Sequence, residues 1–145
     1  MEFPYTRICG RFTHIPPFFS TVQVHAAFSS SIRQAQISRY LIPSESRIMI
    51  QNTKIINNVF SKVDAEWLGL IAGLEFGLQN GERCIALENS VVDVMQGLII
   101  PGTRFYRHSI GNYKEQLAAM AGQLDWLGAR YIPARQNQAI IPRLY

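Results

Sequence analysis

Three glycines in one helical stretch constrain this chain more than any other feature. Gly69, Gly73 and Gly77 fall on a single line at i, i+4 spacing. Around them Trp67, Leu68, Leu70, Ile71, Leu74 and Leu78 give a broad apolar surface at helical period. In a soluble helix each glycine costs up to about 1 kcal/mol against alanine, so three in register predict close backbone packing against a sheet. A membrane pairing motif does not fit, because Asp64, Glu66, Glu75 and Glu82 punctuate the segment. Ser61 is the expected N-cap with Asp64 as capping-box acid, and Asn80-Gly81 is the expected stop. A short strand, Cys84 to Leu87, follows. Ser90 then caps a second helix through Val91, Val92, Val94, Met95 and Leu98, which Pro101-Gly102 breaks.

Period-two patterning dominates the residues before this centre. Val22, Val24 and Ala26 alternate with Gln23 and His25, and Ser29-Ser30-Ser31 makes a turn. Ala35, Ile37 and Tyr40 to Ile42 form a second strand ending at Pro43, and a third starts at Ile48 and continues to Ile55-Ile56. Short polar turns between them predict an antiparallel meander. After the second helix, residues 103–111 read as loop, 112–127 as a helix with Leu117, Met120, Ala121, Leu124 and Leu127 on one face, and 129–132 as a fifth strand. Residues 1–20, rich in proline and aromatics, read as an extended arm preceding one domain, 21–145. The order predicts an α/β fold, a five-stranded mixed sheet with helices packed on it.

With 145 residues, 48% hydrophobic and 17% charged, the chain can bury one core, and disorder is disfavoured. No window approaches the roughly 18 apolar residues of a membrane span. Cys9 and Cys84 lack metal spacing and read as structural thiols in a reduced, intracellular compartment. The N-terminus lacks the features of a secretory signal, and Pro16-Pro17 would break a transit-peptide helix. Charge is segregated. Residues 1–62 hold seven Lys/Arg against two acids, 63–93 one against six, and 94–145 six against two. An acidic middle between basic flanks suits a metal site beside a nucleic-acid groove, and equally two solvated helices with acid-rich ends.

The element order and four short motifs resemble the ribonuclease H superfamily, closest to its retroelement and plant-type branch, over about residues 21–144. Members hold two Mg²⁺ ions with four carboxylates: one in strand one, one in the first helix, one ending strand four and one after strand five. By this resemblance Val24-His25-Ala26-Ala27-Phe28-Ser29 places Ala27 at the first position. Ala65-Glu66 keeps the second as Glu66, and Leu87-Glu88-Asn89-Ser90 places Asn89 at the third. Pro133-Ala134-Arg135-Gln136-Asn137-Gln138-Ala139-Ile140-Ile141 places Ile141 at the fourth. Shifting the first or last by a residue or two restores nothing, because no Asp or Glu occurs in 3–44 or 126–145. Only Asp64, Glu66, Glu88 and Asp93 remain as candidate ligands, and Glu88, one residue before Asn89 on a strand, is expected on the opposite face. One carboxylate is a poor cage for two hard divalent cations, so no metal cofactor and no catalysis by the family mechanism are expected.

Other chemistries are thinly represented. His14, His25 and His108 show no metal-ligand spacing, and there is no phosphate-binding glycine loop or nucleophile elbow. Two classes of function stay open. In one, the domain binds RNA or an RNA–DNA hybrid through Arg104, Phe105, Tyr106, Arg107 and Arg135, with Arg33, Arg39 and Arg130 adding to the surface. In the other it is a scaffold that docks a protein through the arm, or through sheet left uncovered by the lack of the family's closing helix. The expectation is an inactive, accessory subunit of a nucleic-acid-containing complex or a retroelement- or virus-type protein. An active Mg²⁺-dependent nuclease with a remodelled site is the enzyme alternative.

Overall fold

In the computed structural model, residues 4–45, 48–99 and 108–140 are described, the last from residue 112 onward for side chains. The strands are β1 (Thr6–Cys9), β2 (Ser20–Ser29), β3 (Gln34–Ile42), β4 (Ile50–Asn57), β5 (Cys84–Asn89) and β6 (Trp126–Tyr131). The helices are α1 (Lys62–Gln79), α2 (Val92–Ile99) and α3 (His108–Ala121), with a short 3₁₀ turn at Ala134–Gln136. One mixed sheet runs in the order β1-β6-β5-β2-β3-β4. β2, β3 and β4 form the antiparallel meander, and β5 lies parallel to both β2 and β6.

Among the described residues the sheet has six strands where five were expected. The sixth comes from the arm: Thr6 pairs with Ala129 and Arg7 with Gly128, antiparallel, with a register shift before Cys9 meets Leu127. Four residues are too short for period-two patterning to announce, and an edge strand pays no visible sequence signature when its partner is distant. The last helix also ends earlier than its apolar pattern suggests. Gly122 N donates to Ala118 O and Leu124 N to Ala121 O, and Asp125 N then joins Arg83 O, so Leu127 belongs to β6. That strand begins at Trp126, three residues before its expected start.

Helix α1 behaves as its sequence predicts. Ser61 is its N-cap, with Oγ accepting from Asp64 N at 3.1 Å, and the chain leaves it through Asn80 and Gly81, the latter at φ +79°. Its glycines lie against β2 and β5. A Cβ at Gly73 would stand 2.4 Å from Val24 Cγ2, one at Gly77 2.5 Å from Ile85 Cδ1, and one at Gly69 3.2 Å from Val24 Cγ1. Overpacking a core costs about 1–3 kcal/mol, against the ~1 kcal/mol of helix propensity that alanine returns. Gly73→Ala and Gly77→Ala are therefore expected to lower the urea midpoint, and Gly69→Ala to leave it nearly unchanged.

The apolar core between sheet and helices is built from Val22, Val24, Ile37, Leu41, Leu70, Leu74, Ile85, Leu87, Met95 and Leu127, all buried. Tyr113 of α3 donates to Asp64 Oδ1 at 3.1 Å and ties that helix to the start of α1. Burial first, then the neighbouring Asp64, pushes the Tyr113 hydroxyl up to about 12. No helix among the described residues is long and apolar enough to cross a membrane.

Candidate functional site

The carboxyl ends of β2 and β5 meet the first turns of α1, and the closing segment after β6 returns over them. Four chain segments thus converge where the sequence motifs point. Glu66, on α1, is 4% exposed, and its Oε2 has no hydrogen-bond partner. Burial pushes its carboxyl above the ordinary carboxylate range, opposed by the nearby Asn89 amide and by Lys62. Asn89 is buried beside it, and its Nδ2 completes no hydrogen bond.

The oxygen of Asn89 is engaged elsewhere. Oδ1 accepts from Val91 N at 2.7 Å and so starts the turn into α2, while the backbone carbonyl accepts from Ile132 N. Only the amide is turned toward Glu66, and an N–H donor cannot ligate a cation. The position from strand one, Ala27, is also without an oxygen ligand. Ala27 is exposed and pairs with Gln36 on the opposite face of the sheet. Ala26 is buried on the helix face, and a Cβ at Gly69, one turn beyond Glu66, would lie 3.6 Å from its Cβ. Strand periodicity sets Ala26 on the same face as Val22 and Val24.

Asn137, quoted within the closing motif but not singled out from sequence, organises this end of the molecule. Its Nδ2 donates to Val24 O at 2.9 Å and Ser90 Oγ at 3.2 Å, and its Oδ1 accepts from Ala139 N. Gln138 N donates to Gln23 Oε1 at 2.7 Å. One buried amide thereby stitches the closing segment across β2 and β5. Ile141 lies outside the described residues, as do Arg104, Phe105, Tyr106 and Arg107. Arg135 is exposed on the 3₁₀ turn, and Arg33 is exposed with its guanidinium 5.5 Å from the Phe60 ring centre.

Two arginines expected on a binding surface are instead structural. Arg39 is buried with Nη1 donating to Ala72 O at 3.1 Å, its guanidinium 4.7 Å from the Phe76 ring centre and 3.6 Å from Glu75. Arg130 lies 2.5 Å from Glu88, over the Tyr5 ring. β-Strand geometry alone does not reveal that an arginine's stem points inward until its neighbours are known.

Asp93 is exposed in the first turn of α2, and Asp64 and Glu88 are engaged elsewhere. Asp64 is held by Ser61 and Tyr113, and Glu88 points to the far face, where it accepts from Gln23, Tyr5 and Arg130. Among the described residues, no three His, Cys, Asp or Glu side chains group in a way that could hold a metal ion. The donor set therefore does not fit a two-Mg²⁺ centre: one buried carboxylate, an amide offering N–H, and an alanine.

The raised carboxyl at Glu66 makes a signed prediction. Below the unfolded pKa both states are protonated and ionisation carries no penalty. As pH rises above it, the unfolded chain ionises first and wild-type stability falls until the folded pKa is passed. Glu66→Gln should therefore gain stability relative to wild type as pH rises above the ordinary glutamate range, read as a diverging difference in urea midpoints.

No protein-family model and no curated protein matches this chain. Solved structures do share its architecture. The ribonuclease H1 of the halophilic archaeon Halobacterium salinarum superposes with a TM-score of 0.73 at 17% identity, over 83% of this chain and 89% of that one. The N-terminal ribonuclease H domain of a Mycobacterium tuberculosis protein gives 0.70 at 16%, over 83% and 86%. LC11-RNase H1, isolated from compost by a metagenomic approach and solved with an RNA/DNA hybrid, gives 0.65 at 13%, over 82% and 88%. At this level of identity the likeness speaks to architecture alone, and on it the chain has a ribonuclease H-like fold.

Proposed function

We propose that this chain is a ribonuclease H-like domain without nuclease activity, serving as a nucleic-acid-binding or structural accessory subunit of a larger ribonucleoprotein assembly. The observation that carries the reading is the donor set around Glu66. Ala26 is the buried residue that β2 sets against α1 near its Gly69, Asn89 presents its amide rather than its oxygen, and the closing segment is without Asp or Glu throughout 126–145. A phosphodiester hydrolysis that relies on two bridging cations needs several anionic oxygens at this point, and one carboxylate does not supply them.

Nucleic-acid contact is favoured over a pure scaffold by the basic flanks of the chain and by Arg135 standing exposed beside the site. A relative in fold, LC11-RNase H1, was solved with an RNA/DNA hybrid. The test has two arms. Incubation of an RNA–DNA hybrid with Mg²⁺ or Mn²⁺ should yield no cleavage, and Glu66→Gln should change nothing. Cleavage abolished by Glu66→Gln would overturn the inactive reading. Binding to hybrid, duplex RNA and duplex DNA should fall about tenfold or more between roughly 50 and 200 mM salt. Absence of binding at the lower salt leaves the scaffold role.

A further inference from the structure

One end of the sheet gathers cations that no acid neutralises, two of them beside an exposed aromatic ring. We propose that this end binds single-stranded nucleic acid, with an unpaired base stacked on Phe60 and backbone phosphates on Arg33 and Lys62. This rests on the nucleic-acid reading above and narrows it to strands with unpaired bases.

Two loops build the platform. The turn between β2 and β3, residues 30–33, and the link from β4 to α1, residues 58–61, are joined by Val59 N donating to Arg33 O at 2.9 Å. Val59 is buried and anchors the link, while Phe60 beside it is 73% exposed. The Arg33 guanidinium stands 5.5 Å from the Phe60 ring centre. Among the described residues, Arg33 and Asn58 are the two non-glycines with left-handed backbone, at φ +49° and +60°. Asparagine enters that region readily, whereas arginine does so at a cost that glycine would avoid. A guanidinium is thus held beside an exposed ring where the backbone alone favours glycine.

Charge selects the occupant. Elsewhere Arg39 and Lys54 share Glu75, Arg11 and Arg83 share Asp125, and Arg130 meets Glu88. Arg7 and Lys114 donate to backbone carbonyls. Arg33, Lys62 and Arg135 are exposed and have no acidic partner among the described residues. All three lie at one end, because β2, β4, β5 and β6 point the same way and their carboxyl ends coincide. The acids that follow Lys62, Asp64 and Glu66, are buried. Several unneutralised cations suit the repeated charge of a polyanion, and an exposed ring beside a guanidinium suits a flat base. An acidic peptide answers the cations alone, whereas a nucleic acid answers cations and ring together. In a duplex each base is already covered on both faces, so only an unpaired one can lie on Phe60.

Fluorescence anisotropy decides it, using the whole chain with a labelled oligouridine of roughly 12 nucleotides and an RNA duplex of the same length. Phe60→Ala should lower affinity for the oligouridine about five- to hundredfold and leave that for the duplex unchanged. Its circular dichroism spectrum should match wild type, since Phe60 is exposed. Phe60→Trp should retain the affinity, and the emission it adds should be quenched by the oligouridine. Arg33→Gln should weaken both ligands and reduce the salt slope by about one. Should Phe60→Ala misfold, the quenching in Phe60→Trp decides alone. Oligouridine binding indifferent to Phe60→Ala, or no quenching in Phe60→Trp, would overturn the inference while duplex binding keeps the broader reading. A patch that serves a protein partner gives that result. A wild type that binds neither ligand at about 50 mM salt would overturn both.

Discussion

Glu88→Ala is expected to destabilise the protein by about 2–3 kcal/mol, because it removes the shared acceptor of three donors from a partly buried ion pair. Glu88 is 2% exposed on the sheet face away from α1. Its Oε2 accepts from Arg130 Nε at 2.5 Å and Tyr5 Oη at 2.8 Å, and its Oε1 from Gln23 Nε2 at 2.9 Å. Three donors converge on one carboxylate, and alanine removes that shared acceptor. The Arg130 guanidinium, stacked 4.1 Å from the Tyr5 ring centre, would lose its neutralising partner. Tyr5 precedes β1, so the same change should loosen the N-terminal strand from β6. Urea denaturation gives the loss, and amide exchange at Thr6 to Cys9 should accelerate more than at Ile85 to Leu87. The double change Glu88→Leu/Arg130→Met, which removes both charges, should recover a good part of the stability. A Glu88→Ala variant within about 1 kcal/mol of wild type would sink this account of the network.

Gly128→Ala should produce the second large effect. A Cβ at Gly128 would stand 2.2 Å from Trp126 Cη2 and 2.5 Å from Cζ2, because residues two apart on a strand share a face. Trp126 is fully buried, with its ring 5.5 Å from Phe19, and Phe19 stands edge-on to Tyr5 at 5.2 Å. The indole cannot move without displacing the aromatic layer that carries the N-terminal segment. A cost of about 3 kcal/mol, at the upper end of overpacking, follows. In a Trp67→Phe background only Trp126 emits, and its fluorescence should shift to the red as the ring meets water. Unchanged emission and stability would mean that the indole has room the structure does not show.

How much of this was legible in the chain differs by element. Helix α1 was fully legible, since Ser61, Asp64, the apolar stripe and Asn80-Gly81 are local signals acting within a few residues. The meander β2 to β4 was legible for the same reason. The opposite face expected for Glu88 was also correct, because it needs only the two-residue period of a strand. The candidate site was legible at Glu66 and Asn89, where motif and element boundary coincide. It was less sharply legible at Ala27, where a motif without its acidic residue gives no anchor. Asn137 was missed as an organiser because a lone asparagine after a strand carries no periodic signal. Its bonds to Val24 and Ser90 span 113 and 47 residues.

Sequence by itself determined the α/β order, the cap and stop of α1, and the want of carboxylates at both flanks of the site, since each is a matter of identity or short-range spacing. Tertiary structure alone decided the rest. It made Thr6 to Cys9 a sixth strand, turned Arg39 and Arg130 from surface cations into structural partners of Glu75 and Glu88, and bound the Asn89 oxygen to Val91 so that only its amide faces Glu66. The physical reason is common to all three. Strand pairing, burial of a charge and the direction of an amide depend on groups brought together from distant parts of the chain, and no local pattern carries them.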